Sequence, residues 1–167
     1  RTPHSLADIS SGWGDELDMG DPATLRDFLK WATTEYPAQE RILVIWDHGN
    51  GFKRVAEDGG SYLTVPEIEG ALAEYRSETG HGPLTLIGFD ACLMGMFEIA
   101  YELREHAAYI HGSEAYEPQE GWTYNHLLPL LGAETTREQM LEAVVHSYVE
   151  SYRNGSVPGG YSVTATV

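Results

Sequence analysis

The stretch LTLIGFDACLMGMFEIAYEL, residues 84–103, sets an unbroken apolar run against a polar stop and then a pattern of helical spacing. Seven residues from Leu84 to Asp90 without polar alternation predict a strand buried on both faces, the signature of a parallel sheet. After it, Met96, Ile99, Ala100 and Leu103 recur as one side of a helix, so the helix is expected to follow the strand directly. Between the two stands Cys92, the only cysteine of the chain.

The same signature occurs upstream. RILVIWD, residues 41–47, is an apolar run that ends in HGNG and predicts a second buried strand feeding a glycine-rich loop. Between the two strands, residues 49–64 read as loop. Then TVPEIEGALAEYRSETG reads as a helix, with Thr64 or Val65 before Pro66, Glu67 in the first turn, Ile68, Leu72 and Tyr75 on one face, and Gly80 as the stop. An earlier helix starts at Asp21-Pro22 and carries Leu25, Phe28, Leu29 and Ala32 inward until Pro37 ends it. AYIHGSE predicts a third strand, 123–131 and 135–153 two more helical stretches, and the alternating YSVTATV a last strand. Residues 1–20, rich in Ser, Gly and Asp, read as an irregular lead-in. Strands alternating with helices make this an α/β chain with a mostly parallel sheet covered on both faces, and its 167 residues fit one domain over 1–167.

Composition narrows the function. The net charge is −16, with Lys30 and Lys53 as the only lysines, which argues against nucleic-acid binding because phosphate contacts need clustered Lys and Arg. The acidic surplus serves solubility, a high-salt habitat or the steering of basic substrates. No apolar run approaches the ~18 residues of a membrane span, and no basic-then-apolar leader opens the stretch RTPHSLADIS. A single cysteine forms no internal disulfide and supplies no thiolate cluster for zinc.

Cys92 is therefore either a small buried hydrophobe or a nucleophile. For the first stands the usual fate of a lone thiol in apolar surroundings. For the second stands its position: in parallel sheets, sites form at the carboxyl ends of strands, and His48 occupies the end of one strand as Cys92 does the next. A cysteine peptidase needs a thiolate attacker, a proton carrier and oxyanion donors. Cys92, His48 and the N–H groups of Gly49 and Cys92 are candidates for those parts. A helix N-terminus at Cys92 would favour the thiolate.

Other residues carry weaker signals. His106 and His111 flank the third strand, and His146 follows Glu142 by four residues on a helix, a spacing commoner on solvated faces than at a metal; no metal site is expected. The glycines of DHGNGF lack the GxxxxGK[ST] run of a phosphate loop. The acidic loop GSEAYEPQEGWTY, residues 112–124, is expected on the same sheet edge as His48 and Cys92. Glu114, Glu117 or Glu120 there could pair with a basic side chain, or simply be solvated. Asp90, a carboxylate at a buried strand end, must find a partner or face the site.

WDHGNGF (46–52) and FDACLMGMFEIAYEL (89–103) together resemble the clostripain-like cysteine peptidases, family C11, whose fold is caspase-like. Similarity also runs through ELDMGDPATLRDFLKWATTEYPA (16–38) and the acidic loop. The resemblance implies a caspase-like three-layer α/β/α sandwich. It implies His48 as catalytic histidine, Cys92 as nucleophile, and Gly49 and Cys92 as the oxyanion hole. It implies cleavage after Arg, and less so Lys, in an S1 pocket made by Asp90 with Glu120, or with Glu117 next in order. Lys53 and Arg54 are then candidates for self-processing. The expected partner is a protein or peptide with a basic P1 residue, not nucleic acid or membrane, at a secreted or cell-surface location. No cofactor is required by the residues; calcium is raised by the family alone. Members carry a further strand and helix ahead of the region that starts here, so the chain is expected to be a fragment. The rival expectation is a caspase-like binding or scaffold domain without catalysis.

Overall fold

The computed structural model describes residues 16–132 and 134–153. The expected lead-in over 1–20 lies mostly, and the expected strand at 161–167 wholly, outside the described residues.

The first helix, α1 (Pro22–Glu35), starts where the sequence places it. Asp21 accepts a hydrogen bond from the Ala23 N–H at 2.8 Å, Pro22 fills the first turn, and Leu25 and Leu29 are buried. Strand β1 (Ile42–Trp46) follows. It is not buried on both faces as expected: Leu43 and Ile45 point inward, while Ile42 and Trp46 are exposed. β1 lies at the edge of the described sheet, and on its other face Val44 is half-buried against the second core cluster.

Residues 49–64 are not simply loop. They contain a small antiparallel hairpin, β2 (Val55–Asp58) and β3 (Ser61–Leu63), which buries Val55 and Leu63. Strands of four and three residues are too short to show a period in sequence, and their buried side chains are Val55, Ala56 and Leu63.

Helix α2 (Val65–Thr79) is closed at both ends by its own residues. Thr64 and Glu67 form a reciprocal capping box, and Gly80 takes a left-handed φ of 71° at the C-cap. Its buried face is Val65, Ile68, Ala71, Leu72 and Tyr75.

Strand β4 (Leu84–Asp90) is the centre of the parallel sheet, flanked by β1 and by β5 (Ala107–His111), and all seven of its residues are buried. Ile87 and Phe89 join the core under α1, α2 and α3 (Phe97–Leu103). Leu86, Gly88 and Asp90 face the other way, toward α4 (Tyr124–Leu127) and α5 (Arg137–Arg153). The architecture is thus three layers, α/β/α, as expected. Each fully buried Leu or Ile on these faces contributes about 1.5–3 kcal/mol of transfer free energy. Gly88 leaves the space in which the Trp122 ring lies: a Cβ there would come 2.6 Å from the indole edge.

The helix after β4 begins four residues later than the expected start at Leu93, at Phe97 with Met96 as N-cap. Leu93 has φ 61°, in the left-handed region, and the 93–95 segment pairs with the loop after β5 through Leu93 N–H to Ala115 O (3.0 Å) and Gly95 N–H to Ser113 O (2.8 Å). Cys92 therefore stands in a tight turn and not at a helix N-terminus. Among the described residues, no helix is long and apolar enough to cross a membrane.

Candidate active site

The register of β1 against β4 ends with Trp46 opposite Asp90, and one more backbone bond joins Asp47 N–H to the Asp90 carbonyl at 3.4 Å. His48 and Cys92 are each two residues past that last pair, on adjacent strands. They are not hydrogen-bonded to one another; His48 is exposed and Cys92 half-buried. Such separation is usual before substrate arrives, because the histidine's partner is the leaving amine.

Gly49 sits directly against the turn of Cys92. A Cβ at that position would collide with the Cys92 carbonyl oxygen and lie 3.1 Å from the Ala91 Cβ, so only glycine admits this approach. Among the described residues, the N–H groups of Gly49 and Cys92 make no internal hydrogen bond and stay available to an oxyanion.

The sulfur is held by the acidic loop. Glu117 N–H donates to Cys92 Sγ at 3.2 Å, and the Glu117 carbonyl lies 3.7 Å from the same sulfur. A backbone donor aimed at sulfur replaces the helix terminus expected there. Leu93, next in the chain, is a non-glycine residue at positive φ, a strain of about 1–3 kcal/mol that the paired loops hold in place.

Behind the sulfur lies a buried carboxyl pair. Asp90 is 3% exposed and accepts from the Trp122 N–H on both oxygens (3.0 and 3.1 Å) and from the Tyr124 hydroxyl (2.8 Å). Gly121, at φ 60°, presses on this carboxylate; a Cβ there would lie 2.6 Å from Oδ1. Burial raises the Asp90 pKa against the pull of those donors. Burial, and then the Asp90 charge, push Glu117 up to about 9. One proton therefore resides on the pair at neutral pH, and Glu117, with the poorer donor set, carries it. Its Oε2 is buried with no hydrogen-bond partner among the described residues.

The sign of the stability linkage follows. The unfolded chain loses the Glu117 proton near the ordinary 4.5, whereas the folded chain keeps it to about 9, so folding takes up a proton between those values and stability from this group falls as pH rises through that window. Glu117→Gln is neutral throughout. We expect its melting temperature to exceed the parent's by several degrees at pH 8 and to approach it at pH 5, read by thermal denaturation across pH. An equal difference at both pH values would exclude a buried proton on Glu117.

The structure brings Asp90 and Glu117 together, whereas Glu120, placed ahead of Glu117 by resemblance, is exposed two residues beyond Pro118. Glu114 is also exposed. Lys53 is exposed in the turn before β2, and Arg54 is engaged with Glu57 at 3.3 Å and lies over the Tyr62 ring. His106 is a buried partner of Glu69 (2.9 Å), and His111 packs edge-on to Trp122; both serve the core. Tyr124 and Tyr148, which reach this site from the last two helices, were absent from the sequence reading. Among the described residues, no three His, Cys, Asp or Glu side chains converge in a way that could hold a metal ion.

The family described as the clostripain family, peptidase C11, matches residues 3–165. Clostripain of Hathewaya histolytica is 30% identical over 118 residues, 60% of this chain and 21% of that protein. A secreted C11 cysteine protease from Bacteroides thetaiotaomicron, solved with an irreversible peptide inhibitor, superposes with a TM-score of 0.69 at 26% identity, over 85% of this chain and 41% of that one. An inactive zymogen C11 protease from Parabacteroides distasonis shares the fold, with a TM-score of 0.65 at 23% identity, over 84% of this chain and 39% of that one. The chain thus spans about two fifths of the length of these solved relatives.

Proposed function

Since the chain belongs to the clostripain family, peptidase C11, and has the caspase-like fold of its members, we propose that the protein is a cysteine endopeptidase acting after Arg, and more weakly after Lys. The observation that carries the reading is the matched placement of His48 and Cys92 two residues past the last pair of adjacent strands, with Gly49 packed between them.

The residues supply the steps in order. Cys92 gives its thiol proton to His48 and attacks the scissile carbonyl as the thiolate, and the amides of Gly49 and Cys92 take the oxyanion. His48 protonates the leaving amine, then takes a proton from the water that hydrolyses the acyl-enzyme. The exposure of His48 suits both tasks, since amine departure and water entry occur on the open side. Asp90 and Glu117 draw in a basic P1 side chain. A guanidinium binding there favours loss of the shared proton, which converts the pair from one negative charge to two around a cation. Arg is the better fit because its planar fork offers paired N–H donors to carboxylates. Self-processing at Lys53 or Arg54 belongs to the same reading; Lys53 is the more open of the two. The secreted relative supports a secreted location.

The test is cleavage of matched fluorogenic peptides with Arg, Lys, Ala or Asp at P1 by the full-length protein, before and after limited proteolysis and with and without calcium. Arg is expected first and Lys second, with Ala and Asp at background. A preference for Asp or Ala would remove the basic-P1 reading; silence on all four after processing would leave the fold as a non-catalytic binding domain.

A further inference from the structure

Two tyrosines one turn apart on α5 are buried behind the carboxyl pair, and only one of them has work for its hydroxyl within the protein. Tyr152 donates to the Gly121 carbonyl at 2.6 Å and so pins the loop that holds Asp90. Tyr148 packs edge-on to it with ring centroids 5.2 Å apart and is 1% exposed, yet its hydroxyl has no hydrogen-bond partner among the described residues. As a core ring it gains nothing over phenylalanine, because an unpaired buried hydroxyl costs about 1–3 kcal/mol.

The surroundings of that hydroxyl identify what it lacks. Tyr148 shares one apolar cluster with Trp122, whose N–H donates to Asp90, and it packs on Tyr152, which holds Gly121 against the same carboxylate, so it borders the carboxyl pair and is not in a remote part of the core. Glu117 Oε2 is likewise buried and unpartnered. A phenol oxygen and a carboxyl oxygen can both accept, so a ligand with several N–H groups can donate to the two at once.

We infer that Tyr148 is a specificity-determining residue, whose hydroxyl accepts a hydrogen bond from the guanidinium of a P1 arginine while the Glu117 carboxylate accepts another. The inference rests on the basic-P1 reading and adds to it the residue that separates Arg from Lys. A guanidinium spreads its donors across a plane and reaches the two acceptors with different nitrogens. An ammonium on Lys is a compact point charge that a carboxylate alone can serve.

The experiment compares full-length parent and Tyr148→Phe on P1-Arg and P1-Lys peptides, with thermal melting in the absence and presence of agmatine as a guanidinium probe. The variant is expected to raise KM for the Arg peptide about tenfold with kcat little changed, to leave the Lys peptide within about twofold, and to melt no lower than the parent, since it removes only an unsatisfied group. Agmatine should stabilise the parent more than the variant. An unchanged Arg-to-Lys ratio with equal agmatine shifts would overturn the inference, the hydroxyl then serving a trapped water. An equal loss on both substrates with a lowered melting temperature would make Tyr148 a packing residue. A parent without any preference for basic P1 residues would instead remove the reading beneath it, and a parent with that preference but an unaffected variant would remove this inference alone.

Discussion

Cys92→Ala is expected to lower kcat/KM on the best P1-Arg peptide by about 10⁴-fold or more, to the level that binding and oxyanion donors alone sustain. The size follows from the chemistry: without sulfur there is no acyl-enzyme, and no other described side chain at the sheet edge is placed to form one. His48 could still activate water, but it would do so without a covalent intermediate. The fold should survive, because Cys92 is only half-buried and its Sγ contacts are both with the Glu117 backbone. Loss of such a contact costs about 1 kcal/mol. The comparison is therefore clean: circular dichroism and melting should match the parent while turnover and the pre-steady-state burst vanish. Retention of turnover within tenfold would exclude Cys92 as nucleophile. Labelling gives an independent check, since a parent thiol with a backbone donor at 3.2 Å should react faster than the same thiol in the unfolded chain.

The placement of His48 and Cys92 just past the ends of adjacent strands was legible in the sequence because strand ends are. Both apolar runs stop at a polar residue, whereas the packing of Gly49 on the Cys92 turn, a long-range contact, was not read from the sequence. The second helix was legible for a different reason: Thr64, Glu67 and Gly80 write its caps in local chemistry. What failed is what long-range contacts decide. Met96 falls at a spacing that continues the Ile99 and Leu103 stripe, so a helix from residue 93 was a fair reading of pattern. It is overruled because Gly95 and Gly112 let the loops after β4 and β5 meet backbone to backbone, where a Cβ on Gly95 would come 2.7 Å from the Gly112 carbonyl oxygen. The choice between Glu117 and Glu120 had the same character. The turn closed by Gly121 N–H to Pro118 O at 3.0 Å directs the residues before it inward and those within it to solvent, and no spacing rule discloses that. Tyr148 was hidden in an apolar helical stripe; a phenol among Val144 and Met140 was its only signal.

Asp90→Asn should be the most damaging change away from the reacting atoms, and its damage should be selective. The carboxylate has two duties in the structure. As an acceptor it holds the Trp122 N–H on both oxygens and the Tyr124 hydroxyl; as a charge it acts on Glu117 and, in the proposed reading, on a P1 cation. Asparagine retains one acceptor oxygen and turns an NH₂ toward donors that need an acceptor, so the buried loop contact is partly unmade at a cost of about 1–3 kcal/mol. It also removes the unit charge, leaving Glu117 to meet an arginine alone. With one charge and up to two hydrogen bonds lost, kcat/KM for P1-Arg should fall about 100-fold or more, chiefly through KM, while residual cleavage after a neutral P1 falls only by what the loosened loop costs. Tyr124→Phe separates the duties, since it deletes one hydrogen bond but keeps the charge; its Arg selectivity should stay near the parent's while its melting temperature drops. The charge of Asp90 is also one cause of the high Glu117 pKa, so in the Asn variant the pH at which Glu117 ionises should move down toward the ordinary carboxylate range. If Asp90→Asn instead weakened Arg, Lys and Ala peptides by one common factor, and Tyr124→Phe did the same, Asp90 would be an anchor of the 112–124 loop, and recognition of the basic side chain would rest on Glu117 without it.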